Sequence, residues 1–139
     1  MFCALDISTS ALAAQRTNLD VIAGNIAMRD VTRDELGRAN PYKRRVALFA
    51  PSNGTRGEKG PGVRVAKIVE DSTPGELRWE PSHPDAAKDG PHKGYLRMSN
   101  VDYHTEMVNA ISAVRAYEAS ATVAEMAKHL ATTALSLLA

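Results

Sequence analysis

His83, Asp85 and His92 offer two imidazoles and a carboxylate in one loop-like stretch, the donor types that hold a transition metal. The simpler reading of Ser82-His83-Pro84-Asp85 is a turn, with proline fixing φ and aspartate bonding its own backbone, and it is preferred. His104-Thr105-Glu106 has the H-x-E spacing of zinc deaminases, but their P-C-x-x-C thiolates are excluded because Cys3 is the only cysteine. The glycine-rich residues 51–62 fit no G-x-x-x-x-G-K-[ST]: Gly54 is followed five residues on by Lys59, and Gly57 by Gly62 and then Val63. They read as an exposed, mobile loop. No G-x-S-x-G elbow occurs, and Cys3 stands at a terminus expected to be mobile. Lys43-Arg44-Arg45, beside Tyr42 and after the Asn40-Pro41 turn, reads as a solvated strand start in preference to a phosphate contact. Asn53-Gly54-Thr55 matches a glycosylation sequon and is given no role. No catalytic, cofactor or metal site is expected, so function must lie in shape and contact.

The chain has 139 residues, one domain's worth, and its 44% hydrophobic content supplies a modest core. Its 17 Lys and Arg against 16 Asp and Glu leave a formal charge of +1, too weak a field to gather nucleic acid or anionic lipid. One cysteine excludes an internal disulfide. Asp6, Gln15, Arg16 and Asp20 interrupt the N-terminal apolar stretch, and Glu125 and Lys128 the C-terminal one, so no membrane span is expected and the chain reads as soluble. The first residues lack a basic segment followed by an unbroken apolar one, so no cleavable secretory signal is expected. Such a chain stays cytoplasmic or leaves by a route that needs no signal peptide.

Residues 4–29 and 103–138 contain no proline and a single glycine, Gly24, whereas residues 36–94 hold all 7 prolines and the other glycines. The layout is helix, then loops and strands, then helix. Leu5, Leu12, Leu19 and Ile26 recur every seven residues, with Ser8, Gln15 and Ile22 at the intermediate offset, giving a narrow and partly polar seam. Met107, Ala110, Val114, Tyr117, Ala121, Ala124, Lys128, Ala131, Leu135 and Leu138 step by threes and fours, a second seam interrupted only by Lys128. Asp102 is the expected N-cap of that second helix, with Glu106 placed to favour its positive end. Arg45–Phe49, Gly62–Val69 and Gly94–Met98 are β-compatible runs, predicting a small sheet or hairpin pair. Both helices are rich in alanine and the core they can form is thin. Val108, Ile111, Val123, Leu130 and Leu137, with Ile7, lie off the main seams and predict contact with more than one neighbour. The expected fold is mainly α: long N- and C-terminal helices paired as a coiled coil around a small β-rich or irregular insert. Residues 1–30 form the first helix of an inner domain, 31–100 the middle region and 101–139 the second helix.

Several segments together resemble one family. Ser10-Ala11-Leu12-Ala13-Ala14-Gln15-Arg16 and Asn18 through Gly24-Asn25-Ile26-Ala27 are similar to the N-terminal helix of bacterial flagellar axial proteins, the rod, hook and hook-associated proteins. Asn40-Pro41-Tyr42-Lys43-Arg44-Arg45 resembles their P-Y-[RK]-R segment, and Trp79-Glu80-Pro81-Ser82-His83-Pro84-Asp85-Ala86 a Y-x-P-x-H-P-D-A stretch with Trp79 in the tyrosine place. Gly94-Tyr95-Leu96, Asn100-Val101-Asp102, Glu106-Met107-Val108 and Arg115-Ala116-Tyr117-Glu118-Ala119 resemble G-Y-V, P-N-V-D, E-M-V and R-A-Y-E-A. Ser99 stands where the pattern has proline, and Met28-Arg29-Asp30 replaces its N-A-x-T turn.

The resemblance covers nearly the whole chain and implies a non-enzymatic subunit of the flagellar rod, the shaft that crosses the periplasm and carries torque to the hook. It implies export through the flagellar type III apparatus without a cleaved signal. It also implies an inner coiled-coil layer of terminal helices and a middle domain touching neighbours; the terminal helices are expected to be poorly ordered in the exported monomer and to fold on assembly. The partners implied are other rod subunits, further copies of this chain, the membrane-ring adaptor region and, in transit, the export apparatus; no nucleic acid, cofactor or small-molecule substrate is implied. The assembly residues expected from the seams are Leu5, Leu12, Leu19, Ile26, Met107, Val108, Ile111, Val114, Tyr117, Val123, Leu130, Leu135 and Leu138. Two other classes stay open: a wall-cleaving enzyme, which would need Glu76, Glu80 and Asp85 to converge on a cleft, and a soluble coiled-coil module that recruits one partner helix.

Overall fold

The structure is a computed structural model that describes residues 2–53 and 61–137. Two long helices bracket two small sheets, in the order α1 (Phe2–Ala27), β1 (Arg45–Asn53), β2 (Pro61–Glu70), β3 (Leu77–Trp79), β4 (Tyr95–Arg97) and α2 (Tyr103–Ser136). α1 takes Cys3 into its first turn. α2 begins where expected: the Asp102 carboxylate accepts the backbone N–H groups of His104 and Thr105, two donors that the first helical turn leaves unpaired. Its 34 residues make a rod about 51 Å long at ~1.5 Å per residue.

β1 and β2 form an antiparallel hairpin with a bulge between Leu48 and Phe49. The hairpin corrects the loop expected over residues 51–62. Pro51 pairs with Val63, Ser52 with Gly62 and Asn53 with Pro61, so both strands run into the turn-rich stretch. In a two-stranded ribbon each strand is an edge strand, and proline is tolerated wherever its missing N–H would have pointed outward. Residues 54–60, which carry the rest of the phosphate-loop and sequon patterns, lie outside the described residues. β3 and β4 pair antiparallel, Leu77 opposite Arg97 and Trp79 opposite Tyr95. At 3 residues β3 is too short to register as an alternating run in the sequence.

α1 is the central layer. It packs on α2 and also on both strands of the hairpin, whereas among the described elements α2 packs only on α1. Ser10 fastens the hairpin side: its Oγ accepts the Val63 N–H at 3.1 Å while donating to the Ile7 carbonyl at 2.7 Å. Gly62 makes that approach possible, because a Cβ there would strike the Ser10 side chain. The chain of Asn25 meeting Glu106, with Ala113 and Ala127 buried farther along α2, sets the two helices antiparallel.

The core is thin: the buried apolar residues are Ala14, Ile22, Ala47, Ala86, Leu96, Val101, Ala113 and Ala127. The helix contact also departs from the expected seams. On α2 the buried positions are Glu106, Ala113 and Ala127, each one residue before the expected Met107, Val114 and Lys128. Ala110, Ala121, Ala124 and Ala131 of the expected seam stay half-buried, so the contact keeps the seam's alanines and leaves its larger residues, with Lys128, in solvent. On α1, Leu5, Leu12, Leu19 and Ile26 are half-buried, and Ser8 and Ile22 of the partly polar offset are buried instead. The Ser8 hydroxyl donates to the Ala4 carbonyl at 2.9 Å, so its burial leaves no unpaired donor.

Candidate functional site

The most developed polar site joins the C-terminal end of α1, the start of β1 and the first turn of α2. Glu106 is 0% exposed. Its Oε1 accepts from Arg44, at 2.8 Å from Nε and 2.7 Å from Nη2, and its Oε2 accepts from Asn25 Nδ2 at 2.9 Å. Asn25, 1% exposed, also donates Nδ2 to the Arg45 carbonyl at 2.8 Å. Its Oδ1 accepts the Arg45 N–H at 2.9 Å and the Tyr42 hydroxyl at 3.1 Å. The side-chain amide thus pairs with both backbone groups of Arg45, as a neighbouring strand would, and all four of its hydrogen-bonding positions are used. Burial pushes the Tyr42 phenol above its ordinary pKa, outweighing the Arg45 charge, so the hydroxyl stays a donor at neutral pH.

Asn100 completes the junction from the loop before α2. Its Oδ1 accepts the Arg44 N–H at 2.7 Å and its Nδ2 donates to the carbonyls of Asp71 and Thr73, while Asp71 N–H returns to the Arg44 carbonyl at 2.7 Å. Segments far apart in sequence are tied at one point. Besides Asp71 and Thr73, they are drawn from three stretches that carry the family resemblance: Gly24-Asn25-Ile26, Pro41-Tyr42-Lys43-Arg44-Arg45, and Asn100-Val101-Asp102 with Glu106.

The expectation that Lys43-Arg44-Arg45 is a solvated strand start is corrected for Arg44, whose side chain is 25% exposed and ion-paired with a buried carboxylate. The reading of Glu106 as a helix-end charge is also incomplete, because the carboxylate turns inward to Arg44 and Asn25. A signal existed: Asp102 already caps α2, which frees a second acid one turn later for another partner, and Asn25 is an amide inside an otherwise apolar run.

A second knot holds His83 and Asp85, read in the sequence as a turn in preference to a metal site. Asp85 accepts from Thr32 Oγ1 at 2.9 Å and from Arg33 Nε at 2.7 Å, fastening residues 32–33 to the turn. His83 Nδ1 accepts the Asp85 N–H at 3.1 Å, and the His92 ring meets Tyr95 edge-on. Burial raises the Asp85 pKa, but the bonds from Thr32 and Arg33 outweigh it and hold the carboxyl below its ordinary range. Asp85 is committed to this turn, and no group of three metal-ligating side chains occurs among the described residues. Glu80 is paired with Arg78 at 2.7 Å and Glu76 lines a different groove beside Met98 and Asn100, so the three carboxylates of the enzyme reading do not share a cleft.

The expected assembly residues of α2 lie outward. Val108 is 63% exposed, Ile111 59%, Leu130 66% and Leu135 67%, and Met107, Val114, Tyr117 and Val123 are exposed as well. Met126, which the seam reading does not include, joins them. Leu138 lies outside the described residues. No helix among the described residues is long and apolar enough to cross a membrane.

Comparison with known proteins agrees with this geometry. Residues 5–32 match the family described as "Flagella basal body rod protein", and residues 92–137 match "Flagellar basal body rod FlgEFG protein C-terminal". The chain is 39% identical to the flagellar basal-body rod protein FlgC of Borreliella burgdorferi, over 99% of this chain and 97% of that one. It is 35% identical to FlgC of Bacillus subtilis, over 98% and 97%, and 41% identical to FlgC of Yersinia enterocolitica, over 95% and 93%. A chain that matches these relatives end to end, and whose matching segments converge on one structural junction, belongs to the FlgC family of flagellar basal-body rod proteins.

Proposed function

We propose that this chain carries torque within the rod as it crosses the periplasm, and that its α2 surface is where neighbouring subunits pack. As a family member it is a structural subunit of the flagellar basal-body rod, assembled with other rod components, and not an enzyme. The observation that supports the finer reading is the distribution of apolar side chains on α2. The face toward α1 is lined by Ala113 and Ala127, while Val108, Ile111, Val123, Met126 and Leu130 face solvent. In a lone globular chain that arrangement is inverted. Surrounded by other helices in a coiled-coil inner layer, the outward residues become buried, each adding roughly 1.5–3 kcal/mol. The residues proposed for those contacts are the exposed α2 set with the half-buried Leu5, Leu12, Leu19 and Ile26 of α1. Residues 31–100 form the outer part of the subunit and touch neighbours, the membrane-ring adaptor among them.

The polar junction gives the proposed mechanism its fixed point. Arg44, Asn25 and Asn100 clamp the α1–α2 pair to the middle region at the Glu106 end, so a rotation imposed on the helices is passed to the middle region. Among the described residues the far end of α2 has no such clamp, and α1 is tied there to the hairpin through the Ser10 hydroxyl. Both far ends stay loosely ordered during passage through the type III apparatus and become ordered on incorporation, which discourages polymerisation before export. Amide exchange on the isolated chain is expected to show slow exchange near Asn25 and Glu106 and fast exchange near residues 4–12 and 120–137; strong protection at both far ends would refute folding on assembly.

The test of the role is quantification by mass spectrometry of detergent-resistant basal bodies from the source bacterium, for the unmodified chain and for Ile111→Asp. The unmodified chain is expected at several copies per rod. The variant is expected to keep the isolated-chain stability within about 0.5 kcal/mol, because Ile111 is on the surface, and to be largely missing from rods. Absence of the unmodified chain from intact rods would overturn the reading.

A further inference from the structure

Trp79 is the chain's single tryptophan and it is 59% exposed. Its ring is nonetheless packed against its own chain: Tyr95 meets it edge-on at 5.0 Å, and a Cβ on Gly94, whose φ is +81°, would lie 2.6 Å from it. The ring borders a pocket of 590 Å³ whose other walls include Pro81, Pro84, His83, Lys88 and Lys93, with no carboxylate among the lining side chains. An aromatic wall with two ammonium groups suits an apolar tip that carries a negative charge.

The same chain presents such a tip. Asp34 Oδ1 accepts the N–H groups of Leu36 and Arg38 at 3.0 and 2.9 Å, its Oδ2 accepts from Arg38 Nε at 2.8 Å, and Gly37 takes φ +73°. This tight turn projects Leu36, 74% exposed, beside exposed Glu35, which has no ion-pair partner among the described residues. The Arg33–Asp85 ion pair, at 2.7 Å, locks the turn to the segment that carries the pocket.

We propose that the Glu35–Leu36 tip of one copy seats in the Trp79 pocket of an adjacent copy, with Leu36 against the indole and Glu35 between Lys88 and Lys93. The inference rests on the rod-subunit reading and names one contact within it. Tip and pocket are different surfaces of one chain, so the contact is heterologous, the type that builds an open helical array.

The test uses the full chain in the source bacterium and reads its incorporation into purified basal bodies. Glu35→Lys, and Lys88→Glu with Lys93→Glu, are each expected to lower incorporation about tenfold, because like charges are then opposed, and the triple variant is expected to restore it. In a Cys3→Ser background, chains bearing Leu36→Cys and chains bearing Lys88→Cys are expected to form mixed disulfide dimers inside the rod. The substitutions at Glu35, Leu36, Lys88 and Lys93 fall on exposed side chains, and circular dichroism of each isolated chain checks the fold. Loss without restoration in the triple variant would mean that the pocket engages a different protein, and unchanged incorporation would mean that it engages nothing; either result overturns the contact. Failure of the rod reading looks different, because the unmodified chain would then be missing from basal bodies.

Discussion

Glu106→Gln is the substitution that the structure makes most informative. The carboxylate is 1% exposed and faces cation and amide on opposite sides, Arg44 on Oε1 and Asn25 Nδ2 on Oε2. Glutamine keeps the shape but has one oxygen. If that oxygen turns to Arg44, the new NH2 group opposes the Asn25 NH2; if it turns to Asn25, the guanidinium loses its acceptor. Either way a buried donor is unpaired and Arg44 loses its counter-charge. Removing one partner of a buried pair costs about 3–5 kcal/mol, and the 25% exposure of Arg44, which lets water reach the cation, places this case near the lower end. For a chain of this length, that corresponds to a Tm lowered by about 10 °C. Urea unfolding of the full chain, followed by Trp79 fluorescence and by helical circular dichroism, measures it. The contrasting variant is Glu118→Gln, whose pair with Arg115 is exposed on both sides, and it is expected to change stability by less than about 0.5 kcal/mol. Replacing both partners, Arg44→Met with Glu106→Leu, is expected to return part of the lost stability, since no uncompensated charge remains while the buried Asn25 Nδ2 still lacks its acceptor. A Glu106→Gln chain within about 1 kcal/mol of the original would refute the clamp, because a buried, doubly engaged carboxylate cannot be neutralised so cheaply.

Two further outcomes are expected. The Asp85 carboxyl is held below its ordinary range, so it binds a proton less readily in the folded chain than in the unfolded one; the stability it adds is full above about pH 5 and is lost as pH falls through the unfolded value near ~3.9 toward the folded value. Asp85→Asn is therefore expected to lower stability at pH 7 and to flatten its decline between pH 5 and pH 3, measured by urea midpoints across that range. Gly94→Ala places a Cβ at φ +81° and against the Trp79 ring, and is expected to cost about 1–3 kcal/mol and to shift the tryptophan emission.

The helices and the hairpin were legible because each repeats a local signal. The seven-residue recurrence of Leu5 to Ile26, the Asp102 cap and the alternation from Val63 to Val69 all act within a few residues. That small residues alone form the α2 side of the α1–α2 contact was not legible. Periodicity finds the most apolar stripe of a helix, and on α2 the most apolar stripe is not the one that meets α1, because alanine contributes little hydrophobicity yet permits the closest approach. Nor was the junction legible by pattern, since Glu106 stands 81 residues from Asn25 and 62 from Arg44 and each has a bland local reading. The resemblance marked the segments around them without saying what they do. Their meeting explains why an amide, a guanidinium and a carboxylate stand at those places: the buried Glu106 carboxylate accepts from both the Asn25 amide and the Arg44 guanidinium.

Burial is unevenly distributed along the molecule. The α1–α2 contact, with Ala113 and Ala127 as the buried apolar residues of α2, removes little apolar area per residue. At about 25 cal/mol per Å², such a contact barely offsets the entropy of ordering two long helices, so the pair gains its definition from the clamp at one end. The clamp supplies position more than free energy, as buried polar groups do when they select one arrangement among several apolar ones. Val108, Ile111, Met126 and Leu130 then hold in reserve the apolar area that the isolated chain does not use. Under the proposed role, neighbours that cover those residues complete the core. Rigidity of the shaft is then a property of many helices packed together, and a subunit outside the rod has no reason to be rigid.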